Sequence, residues 1–293
     1  MATVVGESKT TALSEKLFVP YFISTNGEIK RPEHLIAYWA RIFSFYVPDE
    51  KDYVELRFHC RLFRDALKPP PVYTTFPHPN YPTLNGFMDK LNRVNYVDPT
   101  KAPKIVFVKE GAFHGTHGTH CNDVDVQIRF PLKMIGAGQN KTFLTGYRLY
   151  IGGKKEGGEV VVQDMTLSAA GNGMHAFNGL SFLCKRITFT KCGQDGVYAW
   201  ISKGRLINCV VTQCGWSGIF SGHTALIELE GSQTKVDGNN TSGRGYGLKT
   251  FKTESKIHLL FPLTKESVST NNHNGQNYGN DSGGTISTVD SFD

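Results

Sequence analysis

Sliding the chain along itself in steps of 22 residues lays three stretches on one another. Residues 161–167 fall over 183–189, and those over 205–211. Apolar residues coincide at positions 162, 184 and 206, at 165, 187 and 209, and at 167, 189 and 211, while Gly171, Gly193 and Gly215 keep the same step. A period in this range marks stacked supersecondary units, none of which buries its apolar face alone. Within a unit the alternation has period 2, so the units are strands and the whole is a coil of strands.

A second ladder supports this reading. After Gly173, Gly196, Gly218 and Gly247 come Met174, Val197, Ile219 and Leu248, each followed by a residue of opposite orientation. The first set is expected to point inward. His175, Tyr198, Phe220 and Lys249 then point outward in a column, with Trp200 and Trp216 nearby. Stacked exposed aromatics suit binding to sugar rings or a peptide, and packing under a loop accounts for them equally. These residues, with Trp200, form the expected client or carbohydrate face.

The chain has 293 residues, 39% apolar and 20% charged, which predicts a packed core. Its 31 glycines are what turns repeated once per coil require. A net charge of +6 does not by itself argue for nucleic acid, and no dense Lys/Arg block occurs. No apolar run reaches the ~20 residues of a membrane span, and Met1 to Lys16 lack an apolar signal segment. An intracellular location is expected, which makes the six cysteines thiols. Cys192 and Cys214 sit one coil apart and read as a small buried stack.

Four segments are expected. Residues 1–30 form a polar leader, 31–68 a helical element, 69–101 a Pro-rich connector with a short helix at 84–94, and 102–293 the coil of strands. The tail after Ser267, rich in Asn, Gly and Ser, reads as a loose last coil or as disorder.

The repeat is similar to the right-handed parallel β-helix of the pectin-lyase-like proteins, so the expected fold is mainly β, with about eight coils. The resemblance implies architecture and no activity. Enzymes on this fold need clustered carboxylates, and the repeat column Asp164, Arg186, Asn208 supplies one acid, one base and one amide. His114, His117 and His120 stand three apart in a glycine-containing loop that reads as surface. The stretch from Gly136 to Thr142 reads as a coil turn, since it lacks the glycine before Lys141 that a phosphate loop carries. No catalytic residue, metal or cofactor is assigned.

Residues 31–67 resemble the F-box. The second half carries the likeness: Pro48-Asp49, Leu56, then Cys60-Arg61-Leu62-Phe63. The first half departs from the pattern, with about three extra residues between Leu35 and Ile42, which rotate a helix by roughly 300°. The resemblance implies a Skp-type adaptor of cullin ubiquitin ligases as partner, met through Leu35, Ile42, Phe45, Pro48, Leu56 and Phe63. It also implies an unknown client protein on the β-helix, while the aromatic column leaves a carbohydrate-binding or polysaccharide-lyase-like enzyme as a further alternative. The competing reading makes this segment a helical cap on the β-helix core of a structural or virion-associated protein. Chains of this arrangement look like ones encoded by algae and by large DNA viruses of protists.

Overall fold

The computed structural model describes residues 73–115, 124–153 and 158–291, all within the second of two units into which the chain divides after Pro70. The F-box-like element, with Leu35, Ile42, Phe45, Pro48, Leu56 and Phe63, lies outside the described residues, as do His117 and His120.

The described strands wind as a right-handed parallel β-solenoid of about seven turns. Every named strand pair is parallel, in a 14-stranded sheet and a seven-stranded sheet. The repeat seen in the sequence is the hydrogen-bonding register. Val162 pairs with Cys184 and Cys184 with Leu206; Leu167 pairs with Phe189 and Phe189 with Val211. These side chains are buried and form one continuous core along the axis.

Each regular coil turns at three corners, and left-handed backbone residues recur at all three. The first corner stacks Asp164, Arg186, Asn208 and Gly231; the second stacks Lys191, Gln213, Gly238 and Asn271. The third stacks Asn178, Ile201, His223, Lys252 and Ser282, with φ between 38° and 74°. Sequence reading assigns the turns to glycine, yet most of these positions hold other residues. A left-handed conformation costs a non-glycine residue about 1–2 kcal/mol, and the register of neighbouring coils imposes it here.

The solenoid begins earlier than position 102. Tyr73–Phe76, in the stretch read as a connector, pairs in parallel with Ile105–Val108. The helix Leu84–Val97 follows, started by Thr83, whose hydroxyl accepts from the Gly86 amide. It buries Leu84, Phe87, Met88 and Leu91 in the core and closes the first coil. Its Asn92 completes the edge of Val124–Ile128, the terminal strand of the seven-stranded sheet. Nδ2 donates to the Gln127 carbonyl at 2.8 Å and Oδ1 accepts from the Arg129 amide at 3.2 Å. A side-chain amide thus occupies the place of a missing strand, and an open edge is avoided.

The other end closes by composition. The inward column Ile151, Ala176, Ala199, Ser221, Thr250 and Asn280 turns polar toward the last coil. Thr250 donates to Asn280 Oδ1 at 3.0 Å. The tail expected to be loose supplies strands Ser269–Thr270, Tyr278–Asp281 and Thr285–Val289.

Candidate functional site: an aromatic outer sheet

The seven-stranded sheet runs through Val124–Ile128, Tyr147–Ile151, Met174–Phe177, Val197–Trp200, Ile219–Gly222, Leu248–Phe251 and Tyr278–Asp281. Its register places Leu149, Met174, Val197, Ile219 and Leu248 in one inward column, all buried. Gly173, Gly196, Gly218 and Gly247, before the four strands from Met174 to Phe251, keep this corner tight. A Cβ on Gly196 would fall 2.4 Å from Val211 Cγ1 and 2.8 Å from the Gly218 carbonyl.

Period 2 then forces the next residues outward. His175, Tyr198, Phe220 and Lys249 form the column expected from sequence, and Tyr150 extends it by one rung. Two residues on, Phe177, Trp200 and Phe251 make a second column, with Gly222 between Trp200 and Phe251. Sequence reading missed Tyr150, Phe177, Phe251 and His223 as members of the face. The i+2 step from 175 to 177 and from 249 to 251 carried that signal. Trp216 makes no ring contact with this group.

The rings are spent largely on one another. Tyr198 and Phe220 stack in parallel, with centroids 4.8 Å apart and planes 3° apart. Tyr198 and Trp200 lie side by side with planes 6° apart. His175 meets Tyr198 edge to face at 4.7 Å and contacts Tyr150 at 5.2 Å. Such pairs add about 0.5–1.5 kcal/mol each beyond burial. Lys249 closes the column, with Nζ 6.0 Å from the Phe220 ring and 2.9 Å from Asp281. What the first column turns to solvent is therefore mainly ring edges.

Trp200 departs from simple stacking. Two rungs separate it from Phe251, or ~9.6 Å of axis, yet their centroids are 6.1 Å apart. Trp200 leans over Gly222, where a Cβ would lie 2.6 Å from Trp200 Cε3. His223 packs against it at 3.8 Å. Phe177, on the adjacent rung and 42% exposed, is left without a ring contact to Trp200. Phe177 instead meets His175 edge to face at 6.0 Å.

Beneath the face runs a polar ladder at the corner before each strand. Asn172 Oδ1 accepts from the Asp195 amide, Asp195 Oδ1 from the Ser217 amide, and Ser217 Oγ from the Tyr246 amide. Asp195 is 3% exposed. Burial pushes its carboxyl up to about 7 against the hydrogen bonds from Ser217 and the charge of Lys249. Burial, with the Asp195 charge behind it, pushes the Tyr198 hydroxyl up to about 12. Burial, with Arg148 nearby, lowers the His175 pKa and favours the uncharged ring. Its Nε2 is buried without a hydrogen-bond partner.

The carboxylate weighed for catalysis is engaged structurally. Asp164 holds Arg186 through two bonds of 2.7 and 2.8 Å. Glu228, which sequence reading did not single out, is buried against Arg205 at 2.8 Å and Lys203 at 3.4 Å. Thr142 secures the turn from Gly136 by accepting from the Ala137 amide and donating to the Lys109 carbonyl. Cys184, Cys192, Cys209 and Cys214 are free, buried thiols. Cys214 is raised by its hydrogen bond with Cys192 and by burial, and burial pushes Cys209 up to about 12. Among the described residues, no group of three His, Cys, Asp or Glu side chains is placed to hold a metal ion. No helix among them is long and apolar enough to cross a membrane.

No protein-family model matches the chain, and no similar curated protein or solved structure is found. The molecule is defined by what its own chain builds: a parallel β-solenoid with an aromatic outer sheet.

Proposed function

We propose that this is a non-enzymatic interaction protein whose aromatic outer sheet presents a binding face to a client. The observation that carries the reading is the two-column array of half-buried rings on a rigid sheet, where a solenoid otherwise places polar side chains. A contiguous apolar surface of this kind marks a contact site on a soluble protein. Aromatic anchors held by neighbouring rungs lose little rotamer freedom on binding.

The F-box-like residues 31–68 complete the proposal, recruiting a Skp-type cullin adaptor so that the client is presented for ubiquitin transfer inside the cell. One feature of the fold favours this over the cap reading. At the N-terminal end of the solenoid Leu84–Val97 already covers part of the apolar core, and its Asn92 pairs the outer edge of Val124–Ile128.

Purified Skp-type adaptor mixed with the full chain is expected to co-elute, and Leu56→Asp with Phe63→Asp to abolish this without altering the β-solenoid spectrum. Trp200→Asp is expected to leave adaptor binding intact and to remove client capture. Failure of the wild type to bind adaptor would return the chain to the structural β-helix reading.

A further inference from the structure

The exposed chemistry of the aromatic sheet narrows its ligand. Among the described residues, the Tyr150 and Tyr198 hydroxyls and the Trp200 indole N–H have no hydrogen-bond partner, and all three side chains are half-buried. All three can donate. The nearby carboxylates of Asp125 and Asp281 are occupied by Arg148 and Lys249. Ring edges carry the positive end of the aromatic quadrupole, and Lys252 Nζ stands 5.8 Å from the Phe251 ring. The face is therefore apolar, mildly positive and rich in donors. Its complement is an apolar chain whose polar groups are chiefly acceptors.

A proline-rich segment in the polyproline II conformation has that character. Proline has no N–H, and the carbonyls of this left-handed helix are unpaired and project outward. The spacing agrees as well. Tyr150 and Tyr198 stand two rungs apart, ~9.6 Å along the axis. Three residues of polyproline II advance ~9.3 Å. Both hydroxyls thus meet carbonyls one helical turn apart. Beside them, on the second column, Phe177 and Trp200 stand on adjacent rungs without stacking on each other. Sugars are served less well, because the faces of Tyr198 and Phe220 on which a pyranose would lie are stacked against each other.

We propose that the aromatic sheet binds a proline-rich segment in the polyproline II conformation, running along the solenoid axis with a proline ring seated between Phe177 and Trp200. This rests on the reading of the sheet as a client face and names the client's chemistry.

The test uses the full chain with Trp39→Phe and Trp216→Phe, which leaves Trp200 as the reporter. Dodecaproline is titrated while indole fluorescence is followed, beside cellohexaose and a Gly-Ser peptide of equal length. Dodecaproline is expected to give a saturable blue shift. Tyr150→Phe with Tyr198→Phe, which keeps the rings and removes the donors, is expected to weaken it about tenfold. Gly222→Ala, whose Cβ drives Trp200 back toward Phe177, is expected to weaken it with every ring retained. Circular dichroism confirms the fold of each variant. Saturation by cellohexaose alone would overturn the proposal in favour of a sugar site. Equal response to the Gly-Ser peptide, indifference to the variants, or no response to dodecaproline would overturn it too. Client capture that still depends on Trp200 would then leave the broader reading standing with another ligand.

Discussion

Replacing Asp195 by Asn tests whether the buried ladder beneath the aromatic sheet titrates near neutrality. The carboxyl has a pKa of 3.8 in an unfolded chain and about 7 in the fold, a rise of about 3 units. At about 1.4 kcal/mol per unit, the proton linkage amounts to about 4 kcal/mol. The native state binds the proton more tightly than the unfolded state. Stability is therefore highest below pH 4, falls between pH 4 and 7 as the unfolded chain releases the proton, and levels off above 7. An asparagine keeps an oxygen for the Ser217 amide and, like the protonated acid, presents a donor on its other side. Asn172 and Asn239 already fill such ladder positions, accepting from the amides of Asp195 and Cys214. Urea midpoints measured from pH 4 to 9 are expected to fall for the wild type across that window. The Asp195→Asn curve is expected to lose this fall and to lie above the wild type at pH 8. Parallel curves for the two proteins would show that Asp195 ionises normally and would refute the desolvation argument.

Three further outcomes follow from the packing. Gly204→Ala places a methyl 2.0 Å from the buried Phe182 ring and is expected to destabilise by about 1–3 kcal/mol, read from the thermal midpoint. Asn92→Ala removes both bonds that complete the edge of Val124–Ile128; a loss of about 1–2 kcal/mol and faster hydrogen exchange at the Arg129 amide are expected. Ile201→Asn relieves a branched side chain at φ 53°, a corner that Asn178 already holds one rung earlier, and is expected to stabilise by up to about 1 kcal/mol in chemical denaturation.

Much of this architecture is legible in the chain. The coincidence of apolar residues at steps of 22 is the register itself, because a parallel coil pairs like positions of successive turns. The outward column from His175 to Lys249 follows from period 2 once the inward ladder is placed. The cap was harder to see. Leu84–Val97 reads as a helix, but its role rests on Asn92 reaching a strand edge more than thirty residues away, for which no local pattern exists. The first strand, Tyr73–Phe76, was hidden among prolines that favour an extended linker as readily as an edge strand.

Spacing along the chain was thus sufficient to decide the winding, the core and the residues that face water, since side-chain direction in a strand is a local property of the backbone. Tertiary structure alone decided how the outward rings are used. Stacking of Tyr198 on Phe220, the lean of Trp200 over Gly222 and the proton held by Asp195 all depend on which side chains the adjacent coils bring within van der Waals reach.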